Sequence, residues 1–328
     1  TGEDKVFGGL GNDIIYGGAG DDWLRGDEGD DIIHGEGGHD VLIGNGGNDQ
    51  IFGGTESERI YGYSGNDIID PGDGDDKVFA GSGDDTVYGS FGEDRYEGDE
   101  GIDTLDYSGA GSSLHVMLFR DFTKDDGQGS KDNVVDFENV IGSDHKDIIE
   151  GSDAVNILYG GGHKDLLYGL GDNDVLYGED GDDRLDGGDG DDILHGGSGD
   201  DRLLGGAGQD ILNGGEGDDS FSASEGADTQ NGGAGSDIFI FDDNDIYIGG
   251  EGVDKLRVES GDTITIDVTN NLSRLSGIDQ IRLNNKGDEE VANQLFLRME
   301  DINQISDNGV LTIIGESATD SVTIEQLD

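Results

Sequence analysis

The sequence predicts an all-β chain: two parallel β-rolls joined by a β-rich connector and closed by a β-rich C-terminal region. Three observations carry this prediction. A nine-residue unit recurs through two long blocks, glycine accounts for 64 of 328 residues, and nearly every unit holds one large apolar residue at a fixed place. Regular self-similarity of this kind marks a stack of like elements, each covered by its neighbours.

The first roll is expected over residues 1–106, with eleven consecutive nonapeptides from Gly8 to Asp106. A connector over 107–141 breaks the period. The second roll is expected over 142–257, with eleven more units from Gly142 to Ile240 and a further one, GGEGVDKLR, from Gly249. Residues 258–328 form the C-terminal cap. Across the twenty-two units position six is Asp except at Glu58 and Asn156, and position eight is apolar or aromatic except at Gln230.

Within a unit the first six residues have turn chemistry, because glycines at positions one, two and four allow conformations that a β-carbon penalises. The last three can form a short strand, in which position eight points to one face and positions seven and nine to the other. Two units therefore make one flat coil of eighteen residues. Stacked at the β spacing of roughly 4.8 Å, such coils form a parallel roll with position eight as a double inner row.

The connector alternates differently, with Leu114, Val116 and Leu118 on one face of a strand, while FTKDDGQGSKDN (122–133) reads as a loop. In the tail, DTITIDV, QIRLNN, NQLFLRM and VLTIIG read as strands, and one short helical turn fits MEDINQI.

Charge narrows the function. Eighteen Lys and Arg face 77 Asp and Glu, a formal charge of -59, which repels phosphates and anionic lipid; nucleic acid and membrane insertion are excluded as roles. The same composition is that of a disordered chain, and without ligands disorder is the expected state. Cysteine is absent, so no disulfide framework or thiolate metal site is available. The opening TGEDKVFGG has neither the basic nor the apolar part of a signal peptide. Residues 2–7 already form the back half of a unit, as in a piece of a longer protein.

One large aliphatic side chain per nine ordered residues is too thin an apolar contribution to offset the conformational entropy. Stacking also places position-six carboxylates eighteen residues apart in neighbouring layers. A divalent cation between successive turns removes the repulsion and couples site assembly to folding. The candidate ligands are Asp4, Asp13, Asp22, Asp31, Asp40, Asp49, Asp67, Asp76, Asp85, Asp94 and Asp103 in the first block. In the second they are Asp147, Asp165, Asp174, Asp183, Asp192, Asp201, Asp210, Asp219 and Asp237. Carboxylate and carbonyl oxygens in a flexible glycine-rich cage suit Ca2+ rather than Mg2+, and the six histidines show no zinc spacing. The expected cofactor is Ca2+, about one ion per repeat.

The unit GGAGDDWLR (17–25), like GGSGDDRLL (196–204), fits G-G-x-G-x-D-x-U-x at every fixed position. The chain thereby resembles the RTX (repeats-in-toxin, haemolysin-type calcium-binding) proteins, whose repeat is known to form a Ca2+-binding parallel β-helix. The resemblance implies Ca2+-stabilised rolls, export by type I secretion machinery from a Gram-negative bacterium, and a secreted or cell-surface location. The stretches DTLDYSGAG and VVDFENVIGSDHKDIIEG are similar to connectors between RTX blocks. The tail is similar to regions near the C-terminus of large RTX adhesins.

Some units depart from the pattern. GGTESERIY (53–61) has Glu56 and Glu58 where glycine and Asp belong, and its site is expected to be weak or absent; Asn156 and ASEGADTQN (223–231) are doubtful in the same way. Pro71 fits only where no backbone donor is needed. A catalytic carboxylate pair needs unlike environments, whereas the array gives every Asp the same neighbours, so no enzymatic role is expected. His34 and His195 are read as outward side chains. Outward aromatics at position nine, Tyr16, Phe52, Tyr61, Phe79, Tyr88, Tyr159, Tyr168 and Tyr177, are read as cross-strand packing, with a stacking surface for glycans as the rival. The leading reading is a calcium-triggered structural module of an adhesin or surface protein. Its rivals are the accessory region of a secreted protease, lipase or epimerase, and a self-assembling fibre or surface layer joining copies of the chain.

Overall fold

The computed structural model describes residues 2–127, 129–222, 225–242, 244–258, 275–283, 294–298, 312–315 and 321–325. Among them there is no α-helix, and a single 3-10 turn spans Leu118–Arg120. The chain is a parallel β-solenoid with two compact units, Thr1–Leu170 and Gly171–Asp328.

In the first unit consecutive strands alternate between two parallel sheets. Lys5–Leu10, Trp23–Glu28, Val41–Gly46, Arg59–Ser64, Lys77–Ser82 and Arg95–Glu100 pair in one of them. Ile14–Ala19, Ile32–Gly37, Gln50–Gly54, Ile68–Gly72, Thr86–Tyr88 and Thr104–Asp106 pair in the other. The register in these ladders is eighteen residues, as Leu24↔Leu42 and Ile33↔Ile51 show. Most strands are six residues long rather than three, because the ladder runs on into the first residues of the next repeat, where Gly9 pairs with Asp27. The bend follows at position four. Gly20 has φ +120°, and a β-carbon there would lie 2.6 Å from the Gly2 carbonyl oxygen, so only glycine serves.

Position eight forms the core. Leu24, Ile33, Leu42, Ile51, Ile60, Ile69, Val78 and Val87 are all fully buried, the outcome that period-two alternation requires.

The connector is built into this stack. Asn139–Ile141 lies between Thr104–Asp106 and Ile157–Gly162, so that Val140 continues the inner row from Leu105 to Leu158. In the other sheet Asn133–Val135 pairs with Arg95–Glu100, placing Val134 on Tyr96, and Leu114–Met117 pairs with Ile148–Ser152. Leu114, Val116 and Leu118 are buried. The loop expected over 122–133 contains a strand, Phe122–Asp126, antiparallel to Leu114–Met117. Its polar residues Thr123 and Asp126 are buried and hydrogen-bonded, Thr123 Oγ1 accepting from the Asp132 N–H and Asp126 accepting from Ser130. Composition alone therefore misread it.

The second unit repeats the scheme. Arg184–Asp189, Arg202–Ala207, Ser220–Ser222, Ile238–Ile240 and Lys255–Val258 pair in parallel. So do Val175–Asp180, Ile193–Ser198, Ile211–Glu216, Thr229–Ala234 and Ile246–Glu251. Gln230 occupies the inner row between Leu212 and Tyr247 and is fully buried. In the tail, Gln280–Leu283 pairs in parallel with Lys255–Val258 and with Thr312–Gly315, while Gln294–Arg298 pairs with Ser321–Glu325. The strand expected at DTITIDV (262–268) and the turn at MEDINQI (299–305) lie outside the described residues.

Candidate metal centres

Position six closes each turn, where the chain re-enters a strand with its side chain directed inward. Of the twenty candidate ligands Asp4 is exposed and Asp13 half-buried, and the other eighteen are buried, most to within 2% of full burial. In most of the buried carboxylates one oxygen has a structural task. Asp22 Oδ1 accepts from the Asp4 N–H at 2.7 Å, Asp31 from Asp13 at 2.7 Å, Asp40 from Asp22 at 2.7 Å and Asp49 from Asp31 at 2.8 Å. In the second unit Asp201, Asp210 and Asp219 accept in the same way from Asp183, Asp192 and Asp201.

The other oxygen is different. Oδ2 of Asp13, Asp22, Asp31, Asp40, Asp49, Asp67, Asp76, Asp85, Asp103, Asp192, Asp201, Asp210, Asp219 and Asp237 is buried with no protein donor. A buried carboxylate oxygen left in this state is costly, and here it recurs coil after coil.

In most of these coils the oxygen lies against a position-one glycine, and the Asp76 and Asp85 coils carry Pro71 and Ala80 there instead. A methyl group added to Gly8 would lie 2.6 Å from Asp13 Oδ2 and 2.7 Å from the Gly26 carbonyl oxygen. At Gly17 the corresponding distances are 2.6 Å to Asp22 Oδ2 and 2.9 Å to the Gly35 oxygen, and at Gly35 they are 2.5 Å to Asp40 Oδ2 and 2.7 Å to the Gly53 oxygen. At these three glycines two oxygens from successive coils thus converge in a small cradle where a β-carbon would meet both. Among the described residues no three acidic or imidazole side chains converge as a metal cluster, so the donor set is carboxylate plus main-chain carbonyl. Those are hard donors of the kind Ca2+ takes in numbers of six to eight. The residues present fit that ion.

The electrostatics agree. Burial pushes Asp201 up to about 8 and Asp49, Asp76, Asp85 and Asp237 up to about 7, the bond from the preceding N–H offsetting part of the rise. Neighbouring carboxylates add to it, Asp67 and Asp31 for Asp49 and Asp183 and Asp219 for Asp201. A protein-only ladder therefore resists ionisation near neutral pH.

Several positions depart from the rule. Asp94 Oδ2 accepts from the Tyr96 hydroxyl at 2.6 Å and from Ser90 Oγ at 3.3 Å. Asp147 Oδ2 accepts from the Ser143 N–H at 2.7 Å and from Ser143 Oγ at 2.8 Å. Asn156 Oδ1 accepts from the Ser152 N–H, and its amide donates to the Glu138 carbonyl. Hydroxyls and amides supply donors in these coils.

Sequence reasoning passed over other residues in equivalent places. Asp228 and Asp254 are buried and accept from the N–H groups of Asp210 and Asp237. Both stand at position six of recognisable units, so strict use of the period finds them. Asp132 accepts from the Asp94 N–H and from the Tyr107 hydroxyl, and Asp245 accepts from the Asp228 N–H. Spacings of 38 and 17 residues conceal these two.

On the outer face, rings one coil apart stack on each other. Tyr16, His34 and Phe52 form one column with centroids 4.8 and 4.7 Å apart, Tyr61 stacks on Phe79 at 5.1 Å, and Tyr177 stacks on His195 at 4.9 Å.

A family model described as the RTX calcium-binding nonapeptide repeat matches residues 1–33, 25–57, 43–78, 70–105, 141–176, 168–203, 177–212 and 204–239. No curated protein matches the chain. Among solved structures it is similar to a hyperactive, Ca2+-dependent, β-helical antifreeze protein from an Antarctic bacterium. That likeness has 21% identity over 84% of this chain and 92% of the other, with a TM-score of 0.34. The family matches take in both blocks and more than half of the sequence, and they coincide with the coils that carry the carboxylate ladder; the chain belongs to the RTX calcium-binding nonapeptide repeat family and binds multiple Ca2+ ions.

Proposed function

We propose that this chain is a non-enzymatic, extracellular structural module of an adhesin or surface protein, folded by Ca2+ after type I secretion. The observation that carries the reading is the row of buried position-six oxygens with no protein donor. A ligand-free chain would have to bury them uncompensated beside a formal charge of -59, and it stays extended, a form able to thread an export channel. When bound, Ca2+ supplies the positive charge that these oxygens and the facing carbonyls require.

We assign ions to the coils whose position-six oxygen lacks a protein donor. Asp94 and Asp147, with hydroxyl donors already in place, hold their turns by hydrogen bonding. The outer aromatic columns spend their ring faces on each other, which favours cross-strand packing over a glycan platform. No helix among the described residues is long and apolar enough to cross a membrane.

Hydrodynamic measurement tests the coupling. In chelator the 328-residue chain should have a radius of gyration near the unfolded value, about 65 Å. It should contract as free Ca2+ enters the range of about 10⁻⁴ to 10⁻³ M typical of extracellular modules. A chain equally compact in chelator overturns the reading.

A further inference from the structure

The nonapeptide GGTESERIY (53–61) breaks the family pattern at position six, yet Glu58 is as deeply placed as the aspartates around it, at 4% exposure. Its two carboxylate oxygens are both buried, and neither has a hydrogen-bond donor. The cause is the extra methylene. An Asp at position six commits Oδ1 to the N–H one coil earlier, as Asp40 does to Asp22 and Asp76 does to Glu58. No described hydrogen bond runs from the Asp40 N–H to Glu58, whose longer side chain leaves both oxygens without a donor unless a proton is shared with Asp76.

The surroundings repeat the cradle found at the aspartates. A methyl group on Gly53 would meet the Pro71 carbonyl oxygen first and Glu58 Oε2 at 3.1 Å. Pro71 presents an acceptor there and has no N–H to contribute. Burial pushes Glu58 up to about 9, the carboxylates of Asp76, Asp40 and Glu56 add to the rise, and Asp76 stands close enough to share a proton with it. Two carboxylates and a carbonyl with no donor among them require either a proton or a cation.

We infer that Glu58 forms a calcium site of its own, in which both carboxylate oxygens face one ion together with the Pro71 carbonyl. The inference rests on the calcium reading of the ladder and extends it to a coil that the repeat pattern would discard. Ca2+ accepts bidentate carboxylates readily, so the substitution changes the mode of ligation and preserves the site.

Native mass spectrometry of the full chain, saturated with Ca2+ alone, counts ions one at a time. The Glu58→Gln chain should carry one Ca2+ fewer than the unsubstituted chain, and Glu58→Asp should carry the same number as the unsubstituted chain. Equal counts for the unsubstituted chain and Glu58→Gln overturn the inference, whereas a chain that binds no Ca2+ at all overturns the calcium reading itself. If Glu58→Gln fails to fold, the unsubstituted chain crystallised with Ca2+ decides. An anomalous peak at the Glu58 carboxylate supports the site. Peaks at Asp40 and Asp76 with none at Glu58 assign a proton to it.

Discussion

Replacing Gly17 with alanine tests the cradle in isolation. Gly17 is not in the left-handed region, so the substitution adds no backbone strain, and restricting the unfolded chain would by itself stabilise by about 0.4–1 kcal/mol. The new methyl, however, would lie 2.6 Å from Asp22 Oδ2, 2.9 Å from the Gly35 carbonyl oxygen and 3.2 Å from Leu24 Cδ1. Two of these contacts are too short to persist, and the two oxygens concerned are the proposed ligands. Overpacking of this order costs about 1–3 kcal/mol, which corresponds to a local affinity lower by about fivefold to about 150-fold. Trp23, the only tryptophan, follows Asp22 directly, so its fluorescence during a Ca2+ titration reports this coil. Gly109→Ala is the control, because a methyl there meets nothing within 4 Å, and it should leave the titration midpoint unchanged. If Gly17→Ala titrates like Gly109→Ala, the oxygens around Gly17 do not hold the ion.

Two further outcomes follow from the packing and the titration of the ladder. Leu194, fully buried between Leu176 and Leu212, should cost about 2–5 kcal/mol when cut to alanine, read by denaturant unfolding in saturating Ca2+. Ile14→Ala, at an exposed position, should change stability by less than about 0.5 kcal/mol. The pH dependence has a definite sign. In the ion-free roll Asp40 and Asp67 are raised to about 6, Asp49, Asp76 and Asp85 to about 7, and Asp201 to about 8. The folded state then holds more protons than the unfolded chain between the ordinary carboxylate value, about 3.9, and these values. Stability without ions is present below that ordinary value and lost as pH rises through about 6 to 8. Circular dichroism in chelator should accordingly gain β signal on going from pH 8 to pH 5 and lose it on return, and a spectrum indifferent to pH over that window contradicts the ladder's energetics.

Much of the architecture is legible in the sequence because the repeat writes burial directly into spacing. Ile33 and Leu42 fall nine residues apart in sequence on opposite sheets, and Ile33 and Ile51 eighteen apart in one, so a count along the chain gives the three-dimensional neighbour. The carboxylates obey the same count, which is why spacing alone marks Asp22, Asp40 and Asp201 as candidates. What escapes is what breaks the count. Val134 and Val140 continue the inner row from inside the connector, but 38 and 35 residues from their partners Tyr96 and Leu105. Asp132 reaches position six of the stack by the same detour. The hydroxyls closing Asp94 and Asp147 come from Tyr96, Ser90 and Ser143, substitutions that look like tolerated variation until the side chains are seen to donate. Glu58 misleads in the opposite direction, since a departure from the motif suggests a lost site where the fold keeps both oxygens inside.

Far-UV circular dichroism at pH 8, recorded in chelator and then along a Ca2+ titration, tests most directly whether the ladder depends on ions. A largely disordered spectrum that converts cooperatively to β structure as Ca2+ is added is the predicted result. A full β spectrum in chelator at that pH, unchanged on adding the metal, would contradict it, because the buried oxygens would then be tolerated with nothing to balance them.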